Sequence, residues 1–294
     1  LSERLQHVRD MPLAYCLSTE RCEAIATYIA TTETPLLPLS WSDEEIELLQ
    51  PSPLYKVVEK QRQQHLDDCR VLGMEENEMR RKFRDAICIV NSRAFVGRDD
   101  VPTMVPLLDL CNHARGPQKK NLSYSWQLDG SVLVQSIAPL HVGDILWITY
   151  GARSNSHLLQ HYGFCLIDNV EPDGSSNDTL PWRGVLLQVG PKSYTYGILT
   201  SLLGLFSGKG DDTCDYDFTN AEHEDVNWED VAASATSNKV DNDLRALDVL
   251  TAQLEDSLLP YYKKGDSVSR ISQQCCILLQ SEVEILQFYV CVCR

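Results

Sequence analysis

The sequence predicts an α+β fold, on three observations. Residues 15 to 85 place apolar residues at helical spacing. Residues 87 to 165 are broken by Pro, Gly and short alternating runs, and residues from 168 on return to long amphipathic stretches. The expected organisation is a helical region over 1–86, a strand-rich region over 87–167 and a helical region over 168–294. An acidic insert lies at 211–230, with nine acids and neither Lys nor Arg.

Each element has its own local signal. "STERCEAIATYIATT" spaces its apolar residues for one helix face. In "SWSDEEIELLQ", Ser42 and Glu45 have the spacing of a capping box, and Pro51 closes the run. "PLYKVVEKQRQQHLDDCRVL" continues as a helix with a charged outer face. The pattern changes at Ile87, where "AICIVNSRAF" is an apolar run ending in a polar patch. "VPTMVPLLDLCNHARGP" is irregular and Pro-punctuated. "NLSYSWQL" and "SVLVQSI" flank Asp129-Gly130, which predicts a hairpin. Gly143-Asp144 turns the chain into "ILWITY". Ser154 is placed to cap a short helix, "NSHLLQHY", with Gly163 at its end. "DNVEPDGSSND" (168–178) reads as a boundary loop. Three helical stretches then follow: "YTYGILTSLLGLF", "DNDLRALDVLTAQLEDSLLPYY" and "ISQQCCILLQSEVEILQFY".

The net charge of −16 is uneven. Residues 1–165 carry 17 basic against 21 acidic side chains, and residues 166–294 carry 9 against 21. A general nucleic-acid binder needs a basic face, so this balance argues against one and suits a Lys-bearing partner. Most of the eleven cysteines sit in apolar runs, as in "AICIV" and "YGFCLI", and read as buried free thiols of a reducing compartment: cytosol, nucleus or plastid stroma. No secretory signal pattern is present, and no apolar run reaches the ~18 residues of a membrane span. Nothing in the sequence speaks to oligomeric state.

Three kinds of site fail on spacing. Zinc needs three or four Cys or His at matched intervals; there is no C-x-x-C, and His157-Leu-Leu-Gln-His161 lacks the Glu of H-E-x-x-H. No metal is expected. G-x-S-x-G is absent, and Cys111 with His113 are too near in the chain to face one another as nucleophile and base. Gly208-Lys-Gly210 follows no strand and precedes the acidic run, the wrong electrostatics for a phosphate cradle.

What remains is an ordered set: Ser92-Arg93-Ala94-Phe95, then Pro106-Leu107-Leu108-Asp109-Leu110-Cys111-Asn112-His113, then Ile148-Thr149-Tyr150-Gly151, Arg153-Ser154-Asn155 and His161-Tyr162-Gly163-Phe164. This set resembles the C-terminal half of a SET domain, of the class of the Rubisco large-subunit methyltransferases. In that class a helical insert splits the SET domain and a helical substrate-binding domain follows. The resemblance implies a partial SET β-fold with small sheets and a knot-like crossing, an inserted helical subdomain and a C-terminal all-α domain. It implies S-adenosylmethionine as cofactor, held by Asn112 and His113 with Arg93 nearby, and Tyr150 as the catalytic tyrosine of the methyl-transfer channel. Phe95, Tyr162 and Phe164 are the expected channel wall, and Phe95 inclines the acceptor toward lysine rather than histidine.

The chemistry accounts for these residue types. Methyl transfer from a sulfonium is an in-line displacement that needs alignment, a neutral amine and exclusion of water, and no metal. Oxygen atoms hold the polarised methyl by weak CH···O contacts. An apolar aromatic channel lowers the lysine pKa by desolvation. The expected function is therefore protein-lysine N-methylation of a protein substrate, with no nucleic-acid or membrane partner. Family members carry Gly-x-Gly on strands at the start of the SET domain, and no such segment precedes Tyr15 here. The expectation is a fragment of a longer enzyme; the alternative is a non-catalytic SET-like interaction module.

Overall fold

The computed structural model describes residues 11–18, 27–28, 32–97, 100–115, 119–182, 185–190, 248–249, 251–256, 258 and 269–293. The expected helix in "STERCEAIATYIATT", the stretch 193–205 and the acidic insert 211–230 lie outside these residues or nearly so. Contacts group the chain into two units: Leu1–Ile46, Lys56–Arg153 and His157–Phe164 in the first, and Glu47–Tyr55, Ser154–Ser156 and Cys165–Arg294 in the second.

In the first unit, helix α1 (Met11–Ser18) lays Ala14 and Leu17 against Phe83, Ala86, Ile87 and Val90, with Cys69 and Met74 closing the cluster. Short helix α2 (Asp43–Glu47) is started by the expected capping box. The Ser42 amide donates to Glu45 Oε2 at 2.8 Å, and the Glu45 amide donates to Ser42 Oγ at 3.2 Å. Helix α3 runs Pro53–Val71 and helix α4 Asn77–Arg93. The change of pattern at Ile87 is thus not an element boundary. A run buried on all sides of a helix loses the periodicity that marks an amphipathic one, and six α4 residues from Phe83 to Val90 are buried.

Helix α4 delivers the chain into strand β1 (Ala94–Val96), antiparallel to β2 (Pro102–Met104). A 3-10 turn, Leu108–Leu110, leads to β3 (Asn112–His113). The predicted hairpin is present: β4 (Leu122–Trp126) pairs with β5 (Val132–Ser136), and Gly130 takes φ 88° at the turn. β6 (Trp147–Ile148) returns beside β3 in parallel, pairing Asn112 with Trp147 and His113 with Ile148. Helix α5 (Asn155–Tyr162) ends on Gly163, which adopts φ 78° and donates to the carbonyls of Leu158 and Leu159. The Ser154 hydroxyl shares a hydrogen bond with Ser156, while Asp178 accepts from the Asn155 amide at 2.6 Å.

The second unit adds an antiparallel pair, β7 (Thr179–Trp182) and β8 (Val185–Gln188), to the expected helices. Helix α6 (Arg270–Cys293) packs Leu279, Val283, Leu286 and Tyr289 against Leu180 and Leu187 of this pair. The Tyr289 hydroxyl donates to the Gln188 carbonyl at 2.9 Å. Asp178 organises a buried polar cluster, accepting from Asn155 Nδ2 at 2.9 Å and Asn169 Nδ2 at 2.6 Å. Among the described residues, no helix is long and apolar enough to cross a membrane.

Candidate active site

Two chain segments far apart in sequence form the site, and backbone pairing holds them. The Asn112 amide donates to the Leu146 carbonyl at 3.1 Å and the Ala114 amide to Ile148 at 2.7 Å, which sets β3 directly beside β6. Asn121 secures the same edge, accepting from the Trp147 amide and donating to the Ile145 carbonyl, each at 2.8 Å. Beneath this pairing Leu108, Cys111, Leu122 and Ile148 form a small core against which Phe95 and Tyr150 pack. The loop after Pro106 is bent hard: Leu107 takes φ 75°, a value that side-chain-bearing residues rarely adopt. Asp109, two residues further on, is buried.

Tyr150 is fixed at three points. Its amide donates to His113 Nδ1 at 3.0 Å, so that nitrogen is the unprotonated one. Its hydroxyl donates to the Cys111 carbonyl at 2.8 Å, and its ring stacks on Tyr162 with centroids 4.7 Å apart. Phe164 and His113 pack on the same aromatic group, at 6.5 Å and 5.1 Å from Tyr150. Burial, reinforced by Tyr162, pushes the Tyr150 phenol up to about 12, so it keeps its proton at neutral pH.

Arg93, the last residue of α4, donates from Nη1 to the Asp109 carbonyl at 3.0 Å and lies 3.7 Å from Asp109 Oδ2. The Asp109 side chain is wholly enclosed, and burial raises its carboxyl to about 6. Both Asp109 carboxylate oxygens and Arg93 Nε are buried without a hydrogen-bond partner among the described residues. Such groups are rare and costly, so they are placed for a ligand or for water.

A cavity of about 370 Å³ opens here, lined by Arg93, Phe95, Asp109, Cys111, Tyr124, Tyr150, Arg153 and Tyr162 among others. Of the residues expected from the sequence, Arg93, Phe95, Tyr150 and Tyr162 line it directly. His113 and Phe164 do not line it but pack on the Tyr150 ring. Asn112 is exposed on β3 and does not line this cavity. Asp109, Tyr124 and Arg153 also line it and were not expected. The signal for Asp109 was present, because a carboxylate between Leu108 and Leu110 is out of place unless it faces a site. Tyr124 contacts Phe95 edge-on at 5.3 Å, a cross-element contact that local pattern does not encode. Among the described residues, no group of three or more His, Cys, Asp or Glu converges as metal ligands would.

No family model and no curated protein matches the sequence. Similar solved structures exist. One is the SET domain of LSMT bound to lysine and AdoHcy, with TM-score 0.66 and 17% identity over 98% of this chain and 75% of that one. A second is Rubisco LSMT bound to AdoMet, with TM-score 0.69 and 16% identity over 99% of this chain and 76% of that one. A third is Rubisco LSMT bound to sinefungin and monomethyllysine, with TM-score 0.65 and 16% identity over the same shares of each chain. What these likenesses establish is architecture: the chain is built on the SET fold of the Rubisco LSMT type.

Proposed function

We propose that this chain is an S-adenosylmethionine-dependent protein-lysine N-methyltransferase. One observation carries the reading: a single cavity joins the Tyr150 phenol, the Arg93 guanidinium and the enclosed Asp109 carboxylate to an aromatic wall of Phe95, Tyr124 and Tyr162. Its setting is a fold shared with proteins solved with AdoMet or AdoHcy and with lysine.

The residues fit the cofactor. Arg93 Nε is a buried donor awaiting an acceptor, as a carboxylate would supply. Arg93 would take that carboxylate, and Asn112 and His113 are the loop residues assigned to hold the remainder. Bound there, the cofactor supplies an electrophilic methyl on a sulfonium. The chain supplies everything else. Tyr150 has committed its one hydrogen to Cys111, so only its lone pairs remain to face the cavity. They accept a CH···O contact from a methyl or an N–H from the incoming amine. Asp109, also acceptor-only when ionised, takes a further N–H of the amine. The aromatic wall removes water, which favours the neutral amine that has a lone pair to give.

The helical region from residue 168 is proposed to present the substrate protein, and its acidity suits a Lys-rich one. Cys16, Cys69, Cys88, Cys111, Cys165, Cys275 and Cys276 are not in disulfides, which suits cytosol, nucleus or plastid stroma. The test is calorimetry of S-adenosylmethionine binding to the folded chain beside Asn112→Ala, followed by transfer of labelled methyl to lysine-bearing proteins. Binding that the variant weakens, with label on lysine, supports the reading. Label on another residue type, or none with cofactor bound, sinks it.

A second reading has one observation of its own. Residues 127–146 are almost wholly exposed and include Leu128, Leu140, Val142 and Ile145. Apolar surface of this kind marks contact with other polypeptide, as an interaction module without catalysis would have. A folded chain that binds no S-adenosylmethionine at all would favour it.

A further inference from the structure

Strand β5 is an open edge. The Gln127 amide donates to the Ser131 carbonyl at 2.8 Å and the Ile137 amide to the Asn121 carbonyl at 2.9 Å, one pair at each end of the hairpin. Bonded pairs in an antiparallel ladder alternate with unbonded ones, so the odd-numbered residues from 131 to 137 direct their backbone groups to β4. Val132, Val134 and Ser136 turn their N–H and C=O groups the other way, where no strand pairs with them among the described residues. Proteins blunt such an edge with charge or Pro, and Ser131–Ile137 reads SVLVQSI, with neither.

The surface around this edge is apolar as well. Eight large apolar residues between Leu128 and Leu146 are exposed, Leu133, Val134 and Ile137 among them. Their exposure amounts to roughly 900 Å², above the ~300–600 Å² of the largest apolar patch on a typical monomer. It is close to the ~800 Å² that each partner brings to a stable interface. Charge points to the kind of partner. A net charge of −16 makes two copies of the chain repel, yet between Gln127 and Leu146 the charged residues are only Asp129 and Asp144. Copies that meet along this stretch face little of that repulsion. The edge is also complementary to itself. Turned about a two-fold axis at Val134, the outward groups of Val132 in one copy meet those of Ser136 in the other.

We infer that β5 is a dimerisation edge: two copies of this chain join antiparallel along Val132–Ser136 into one four-stranded sheet, with Val134 opposite Val134 on the two-fold axis. The inference goes beyond the methyltransferase reading and does not depend on it, since no β5 residue lines the 370 Å³ cavity.

Sedimentation velocity of the chain over a wide concentration range provides the test. The mass is expected to double, with a dissociation constant of about 10 µM or below. Val134→Lys and Val134→Glu each set like charges against one another across the axis and are expected to weaken the dimer by about a hundredfold. Mixed in equal parts they set Lys against Glu, and the dimer is expected to return. Met79→Lys, at an exposed position on α4, is expected to leave it unchanged. A monomeric wild type, a dimer that Val134→Lys leaves intact, or a mixture that stays monomeric overturns the inference. Amide exchange of the wild type decides without any variant: Val132, Val134 and Ser136 are expected to become protected as the dimer forms, and a dimer that leaves them unprotected overturns the edge. Protection already present in the monomer assigns the edge to another segment of the same chain. Protection that appears only with a lysine-bearing peptide assigns it to substrate. Either result overturns the second copy.

Discussion

The Tyr150 hydroxyl donates to the carbonyl of Cys111, 39 residues earlier in the chain, at 2.8 Å. This bond orients the phenol so that its lone pairs, not its hydrogen, are available in the cavity. Tyr150→Phe removes the oxygen and keeps the stacked ring. It is expected to lower kcat by about a hundredfold, in the range seen when one aligned polar group of a transition-state site is lost. Cofactor affinity should change by no more than about twofold. Single-turnover kinetics beside calorimetry would check both, and equal losses in the two would remove the assigned role.

Asn112 is exposed on a strand whose backbone pairing does not involve its side chain. Asn112→Ala should therefore leave the thermal midpoint within a degree or two and weaken S-adenosylmethionine binding by about tenfold, the worth of one good hydrogen bond. Unchanged binding would move the cofactor away from this loop.

Asp109 is held at about 6 by burial. If its ionised form accepts from the amine, kcat/KM must fall as pH drops through about 6, because protonation removes an acceptor. Asp109→Asn should abolish that acid limb and lower the rate at pH 8 by about tenfold or more. A pH profile with the limb intact in the variant would assign it to another group.

Glu282 of α6 is almost fully buried. Ser52 Oγ donates to its Oε1 at 2.6 Å, and its Oε2 has no partner among the described residues. Burial chiefly, with Asp178 adding to it and the Ser52 bond opposing, raises its carboxyl from 4.5 to about 8. The folded state thus keeps a proton that the unfolded state releases, so this group costs stability progressively as pH rises from about 4.5 to about 8. Glu282→Gln cannot ionise. Its thermal midpoint should lie several degrees above wild type at pH 9 and close to it at pH 5. The opposite ordering would mean the buried carboxylate is stabilised by a cation.

Gly163 combines φ 78° with a wall: a Cβ there would sit 2.8 Å from the Leu36 carbonyl oxygen. Gly163→Ala should cost about 1–3 kcal/mol in denaturant unfolding, from strain and a backbone contact that cannot yield.

Legibility in the sequence followed the range of the interaction. The Ser42–Glu45 capping box, the Asp129-Gly130 turn and the Gly163 stop each depend on atoms within a few residues, and each is where the pattern puts it. The apolar run at Ile87 reads as a change of pattern because five consecutive buried residues, Ala86 to Val90, show no single face although they continue helix α4. The β7–β8 pair gave no clear sign, since four-residue strands leave too little alternation to read.

By itself, then, the sequence determined the α+β class, the hairpin and the order of the motifs, all properties of local geometry and spacing. Only the tertiary structure decided which motif residues share a cavity. Parallel pairing of β3 with β6 sets Asn112 beside Trp147 and His113 beside Ile148, partners 35 positions apart in the chain. That pairing brings Tyr150 onto Cys111. The end of α4 places Arg93 against Asp109. The physical reason is desolvation: enclosure raises the Asp109 carboxyl and keeps the Tyr150 phenol and both α5 histidines uncharged, and enclosure exists only once the chain has folded.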